Sequence, residues 1–133
     1  MPTYLLQVLN ITFLVFHTGL VLFNCIGWAW RRTRQWHLLT LALTAISWLV
    51  MGIWHGIGYC ICTDWHWQVR RALGYHDPDT TYIQFLVRSL TGWSPSEGLA
   101  KAVAGWVFGI AVVLSVSLNI RDMRERKSSL AAS

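Results

Sequence analysis

Five histidines and three cysteines carry most of the chemical potential of this 133-residue chain. His55, Cys60, Cys62, Asp64 and His66 crowd into twelve consecutive positions. Thiolate and imidazole donors at that density suit zinc or copper, which makes His55, Cys60, Cys62 and His66 the candidate metal ligands. The Cys-x-Cys spacing with a histidine four residues on departs from the usual zinc patterns, and buried free thiols are the ordinary explanation. Cys60 and Cys62 are also too close in sequence for an easy disulfide. His17, His37 and His55 are the candidate cofactor ligands, because an imidazole in an apolar segment can serve as a haem axial ligand, a metal ligand or a proton relay.

Other catalytic sets are missing. There is no HExxH, no glycine-rich phosphate loop and no nucleophile–base motif. Asp64, Asp77, Asp79 and Glu97 are the only carboxylates between the second and third apolar runs, and three of them read as helix caps or first-turn residues, which leaves little for paired-carboxylate catalysis.

The elements that must position these residues follow from composition. The chain is 54% apolar and 13% charged, with nine tryptophans, against about 25% charged in ordinary soluble domains. A net charge of +5 and a pI near 9.6 would fit a nucleic-acid binder only with a basic patch on a water-soluble body. The mean hydropathy of +0.41 excludes that body. Residues 4–30 and 36–62 contain no Asp, Glu, Lys or Arg, and neither do residues 102–120. A helix needs about 20 mainly apolar residues to cross the hydrocarbon core, so three spans are expected, at about 4–30, 36–62 and 98–120. The first lacks the basic flank and small-residue cleavage site of a signal peptide and is read as retained.

Lysine and arginine counts orient the spans. The loop with Arg31, Arg32 and Arg34 and the tail with Arg121, Arg124, Arg126 and Lys127 together hold seven basic residues and two acids, whereas residues 63–101 hold four of each. The N-terminus is therefore expected outside and the C-terminus in the cytoplasm. Between spans two and three, Thr63 to Leu73 before Gly74, and Asp77-Pro78 to Gly92, read as two short amphipathic helices along the outer membrane surface. Trp65, Trp67, Tyr75, Tyr82 and Trp93 suit the headgroup level. Ser94-Pro95-Ser96-Glu97 fits a capping box opening the third span. The fold expected is an all-α integral membrane three-helix bundle, a single domain over residues 1–127, with 128–133 a flexible tail.

Polar residues inside spans are expensive and mark the inward faces. Asn10, His17 and Asn24 repeat every seven residues. His37, Thr40, Thr44, Ser47, Met51, His55, Gly58 and Cys62 fall within about 80° of one helix face. Gly105 and Gly109 form a GxxxG pattern sharing a face with Ala102 and Asn119. Asn10, Asn24, Thr40, Thr44, Ser47, Gly105 and Gly109 are thus expected to glue three helices together. With a turn near Thr33, His17 lies opposite residue 49, about 9 Å from the level of His55. No two histidines are level, so a bis-histidine haem needs a second chain. Haem or a transition metal remains a possible cofactor but not the favoured reading.

His17 with Phe23 and Gly27, the Trp36-His37-Leu38 opening of the second span, Cys60-Ile61-Cys62-Thr63, Arg70 or Arg71, Gly74 and Tyr82-Ile83 together resemble the bacterial three-span membrane proteins known as domain of unknown function 2784, over roughly residues 8–119. Two departures stand out. Ile61 occupies the place of that family's proline, and His66 that of its usual glutamate. The resemblance implies the three-span architecture and singles out His17, His37, Cys60 and Thr63, but implies no reaction. The functional expectation is a non-enzymatic accessory or scaffolding subunit of a larger complex in the bacterial cytoplasmic membrane. Its partners are the bilayer and a membrane protein or a second copy of itself, with no nucleic acid. The alternative is a redox or metal module built on the histidines and outer cysteines.

Overall fold

A computed structural model describes all residues, Met1–Ser133, as five helices and no strands. Helix α1 spans Thr3–Ile26 and ends in a 3₁₀ turn at Gly27–Ala29; α2 spans Arg34–His55, α3 Ile61–Ala72, α4 Tyr82–Thr91 and α5 Glu97–Ala132. Helices α1 (with its turn), α2 and α5 are each long and apolar enough to cross a membrane. Burial runs opposite to that of a water-soluble globule. Of 20 buried residues ten are polar or charged and eight hydrophobic, whereas Val15, Phe16, Ile53, Trp54, Trp106 and Val113 are exposed. Apolar solvent outside and hydrogen-bonding groups inside are what a bilayer demands.

The second span is shorter than its charge-free run. Helix α2 stops at His55, because Gly56 (φ 86°) and Gly58 (φ 99°) turn the chain through left-handed conformations that glycine alone adopts without strain. The chain then folds back into the bundle, where the Ile61 amide donates to Ser47 Oγ at 2.9 Å, eight residues before the end of α2 and so about 12 Å back along it. Gly58 and Cys62 therefore leave the α2 stripe on which a continuous helix would have placed them.

Helix α3 packs against α1, whereas α4 lies beside α5 and reaches α1 through Tyr82. His66 on α3 donates from Nε2 to Asn10 Oδ1 at 2.9 Å and stacks with Phe13. Tyr82, which opens α4, donates to the Leu14 carbonyl at 3.2 Å and shares a 2.7 Å hydrogen bond with Thr18. Trp67, Tyr82 and Phe85 form the apolar core of this layer. Tyr82 and Trp67 are thus buried, with Trp67 Nε1 donating to the Asp79 carbonyl at 2.9 Å. Trp65, Tyr75 and Trp93 stay exposed.

Helix α4 begins at Tyr82, four residues beyond Pro78, because Thr81 and Gln84 complete a capping box there. Asp77 and Asp79 instead pair with Arg70 and Arg88. Ser96 alone caps α5, accepting from the Leu99 amide at 3.1 Å, and Glu97 turns to Lys101. Residues 128–132, expected in a flexible tail, continue α5.

At the opposite end, α1 and α2 meet through a close approach at Gly27. A Cβ there would stand 2.8 Å from His37 Cδ2 and 2.9 Å from Phe23. The His37 ring cannot yield, since it is fully buried and donates from Nε2 to the Asn24 carbonyl at 2.9 Å. Gly27→Ala is expected to destabilise the protein by about 1–3 kcal/mol, the usual range for overpacking, read as a lowered midpoint in detergent unfolding. An unchanged midpoint would mean that this turn is loose.

Candidate functional site

The residues best placed for function surround a cavity of about 330 Å³ between α1, α2, α4 and α5, at the point where the re-entering chain reaches the bundle interior. Its wall is mainly apolar, with Leu20, Trp48, Val103, Ala104 and Phe108 contributing, and its polar side carries His17, Asn24, Thr44, Cys60 and Thr63. Trp48 and Phe108 lean together across α2 and α5 with ring centroids 4.7 Å apart.

His17 is 4% exposed. Its ring stacks on Tyr82 at 3.9 Å and 22°, and its Nδ1 has no hydrogen-bond partner. Cys60 lines the cavity with His17, and Ser47 donates to its sulfur at 3.6 Å. Two turns below His17, Asn24 donates from Nδ2 to Thr44 Oγ1 at 3.0 Å, leaving Oδ1 unpartnered. An imidazole next to a thiol has the ingredients of a nucleophile and its base.

The expected site residues therefore divide. His17, Asn24, Thr44 and Cys60 share the cavity, with Ser47 behind Cys60. His37 instead anchors the α1–α2 turn. His55 is exposed, packed against Tyr59, with Nε2 3.9 Å from Asp64 Oδ1. His66 belongs to the α1–α3 contact. No three His, Cys, Asp or Glu side chains are arranged to hold a metal ion, so His55, Cys60, Cys62 and His66 are not assembled as one ligand set. The Thr40 hydroxyl bonds the His37 carbonyl within its own helix at 2.9 Å. Asn10 serves α3 through His66 and Arg70.

Gly105 and Gly109 depart furthest from the inward-facing expectation. A Cβ at either would meet nothing within 4 Å. Both line a shallow apolar groove on the outside of α5, beside Trp106, and Gly105 also borders the cavity. Helix α5 instead meets α2 through Phe108, Asn119 and Asp122. Asn119 Nδ2 donates to the Arg34 carbonyl at 3.1 Å, and Arg34 Nη1 contacts both Asp122 oxygens at 3.0 Å.

Several structural residues were not foreseen as such. Thr18, Tyr82, and the Arg34–Asp122 and Arg70–Asp77 pairs have partners at least seven and as many as 88 positions away. The Thr81–Gln84 box was the one local signal that α4 begins at Tyr82.

Burial, then the Arg70 charge, push His66 down to about 4. An unfolded histidine titrates near 6.5, so below that pH the unfolded chain takes up a proton that the native protein refuses. Stability from a neutral His66 is therefore complete above about pH 6.5 and declines as pH falls toward 4. The unfolding midpoint in detergent is expected to drop across that window, and His66→Phe to flatten the drop. A wild-type curve identical to that of the variant would refute the assignment.

Neither the curated proteins nor the solved structures hold a match to the chain. The family model described as a protein of unknown function, DUF2784, matches residues 7–120, and the chain belongs to that family.

Proposed function

We propose that this protein is a non-enzymatic integral membrane protein serving as an accessory or scaffolding subunit of a larger assembly. It sits in a bacterial cytoplasmic membrane with its N-terminus outside and its C-terminus in the cytoplasm. The observation that carries the reading is the open Gly105–Gly109 groove of α5. Small residues at this spacing let a second helix approach closely in lipid, and α1 and α2 leave this face free. The charge count by side supports the orientation, because Arg31, Arg32 and the basic stretch of α5 fall at one end of the bundle.

A photoreactive residue replacing Trp106 tests the proposal in native membranes. The expected result is a discrete adduct with another membrane protein, reduced at least tenfold by Gly105→Leu. That substitution meets open space in the protein itself and removes a glycine costing about 1 kcal/mol relative to alanine in a helix, so stability is expected to hold or rise while the adduct disappears. An adduct of twice the chain mass would make the partner a second copy. No adduct would sink the proposal.

A redox or metal role has one observation in its favour, the placement of Cys60 and His17 on one cavity wall. An absorption spectrum and metal analysis of detergent-purified protein decide it, and a colourless, metal-free and fully stable sample rejects it.

A further inference from the structure

We infer that the cavity beside His17 is a binding site for a small, neutral, apolar molecule carrying a hydroxyl head, of the phenol or alcohol class. Its volume of about 330 Å³ lies at the lower end of the range for ligand sites, which fits a compact ring or short chain rather than a whole phospholipid. Most of its wall is apolar, as expected for the body of such a molecule. The polar side is incomplete in a way that specifies the head. His17, 4% exposed, has an unpartnered Nδ1, and Asn24 has an unpartnered Oδ1. A buried polar atom without a partner costs about 1–3 kcal/mol, and these two stand on one face of α1 about 10.5 Å apart.

Asn24 Oδ1 can only accept, so its complement is a donor; an imidazole nitrogen accepts or donates according to tautomer. A hydroxyl meets either requirement, whereas a ketone or ether cannot serve Asn24. The one cation on the wall, Lys101, is engaged by Glu97 at 2.6 Å, so no free positive charge awaits a carboxylate or phosphate. This argues for a neutral head. The cavity and the α5 groove proposed above to dock a partner helix meet at Lys101 and Gly105, but Ala104 lines the cavity alone and Trp106 the groove alone, so substitutions at those two positions let the two readings fail independently.

Three photoreactive probes of one shape test the inference on the whole protein in lipid nanodiscs: 4-hydroxybenzophenone, unsubstituted benzophenone and 4-benzoylbenzoate. The expected result is saturable labelling by the hydroxyl probe, mapped by mass spectrometry to residues 17–25, 57–63 and 100–108. This labelling should be competed by 4-hexylphenol and exceed that of the other two probes at least tenfold at equal membrane loading. Ala104→Phe, which fills the cavity from α5 without touching its polar side, should abolish the labelling while leaving the unfolding midpoint in place. His17→Phe should reduce the hydroxyl probe to the level of benzophenone. If His17→Phe does not fold, Ala104→Phe carries the test. Unsaturable labelling spread over the lipid-facing helices by all three probes would overturn the site, leaving the cavity to water. Preference for the carboxylate would overturn the neutral head, and labelling that survives Ala104→Phe would overturn the location.

Discussion

Arg70→Ala is expected to destabilise the folded protein by about 3 kcal/mol, the scale on which breaking a largely desolvated ion pair from one side operates. The Arg70 guanidinium grips Asp77 with two hydrogen bonds, Nε to Oδ2 at 2.5 Å and Nη2 to Oδ1 at 3.0 Å. It reaches Asn10 at 3.3 Å and lies over the rings of Tyr75 and Phe85 at 4.4 and 4.8 Å. The Arg70 and Asp77 side chains are only 14% and 11% exposed. Alanine would leave Asp77 with Arg88 Nη2 alone, at 3.5 Å. The same change frees the segment after α3 from α1, so the damage should be local. Amide exchange protection is expected to fall across residues 61–91 and to persist in α2 and α5, as for a separately opening unit. Arg70→Lys keeps the charge but loses the two-pronged geometry and ring stacking, and should recover less than half of the loss. A change below about 0.5 kcal/mol, the scale of an ordinary surface substitution, would show that the α3–α4 layer is held by its apolar core alone.

The second large effect lies at the other end of the bundle. Asp122→Ala is expected to cost about 2–4 kcal/mol, because it strands the Arg34 guanidinium, 11% exposed, against the α1–α2 turn. Arg34 Nε is held by the Trp28 carbonyl at 3.0 Å, so the side chain cannot simply swing into water. The neighbouring Arg31–Glu125 pair is shorter, at 2.6 Å, yet its side chains are 57% and 48% exposed. Pairs in that setting contribute about 0–1 kcal/mol, so Glu125→Ala should be nearly silent. A double-mutant cycle on Arg34 and Asp122, read by unfolding in detergent, should return a coupling of at least 1.5 kcal/mol. The Arg34→Leu/Asp122→Leu double variant is expected to be more stable than Asp122→Ala. Equal losses from Glu125→Ala and Asp122→Ala would refute the argument that burial, not distance, sets the strength of these pairs.

The parts of the fold legible in advance were those written locally. Charge-free runs marked three long helices, Gly74 and Gly92 marked the ends of α3 and α4, and the resemblance to the unknown-function family held. Two of the misreadings concerned direction. A period of 3.6 residues says which residues share a face but not what that face meets. On α1 the stripe of Asn10, His17 and Asn24 does turn inward, yet it serves three different partners: α3, the cavity and α2. On α5 the face of Gly105 and Gly109 turns outward. The α2 stripe was extrapolated through Gly56 and Gly58, and their left-handed conformations sent Cys60 back toward His17.

Sequence alone determined that this chain needs an apolar solvent, how many helices can cross it and which end of the bundle carries the positive charge. Those properties are sums over composition and spacing, insensitive to how the helices are arranged. Tertiary structure decided the rest. It buried His17 against Tyr82 from 65 positions away, brought Cys60 beside it, opened a cavity between them and α5, and left the α5 glycines uncovered. Each of these depends on long-range pairing and on a backbone reversal at two glycines, and pairwise geometry of that kind leaves no local period in the sequence to read.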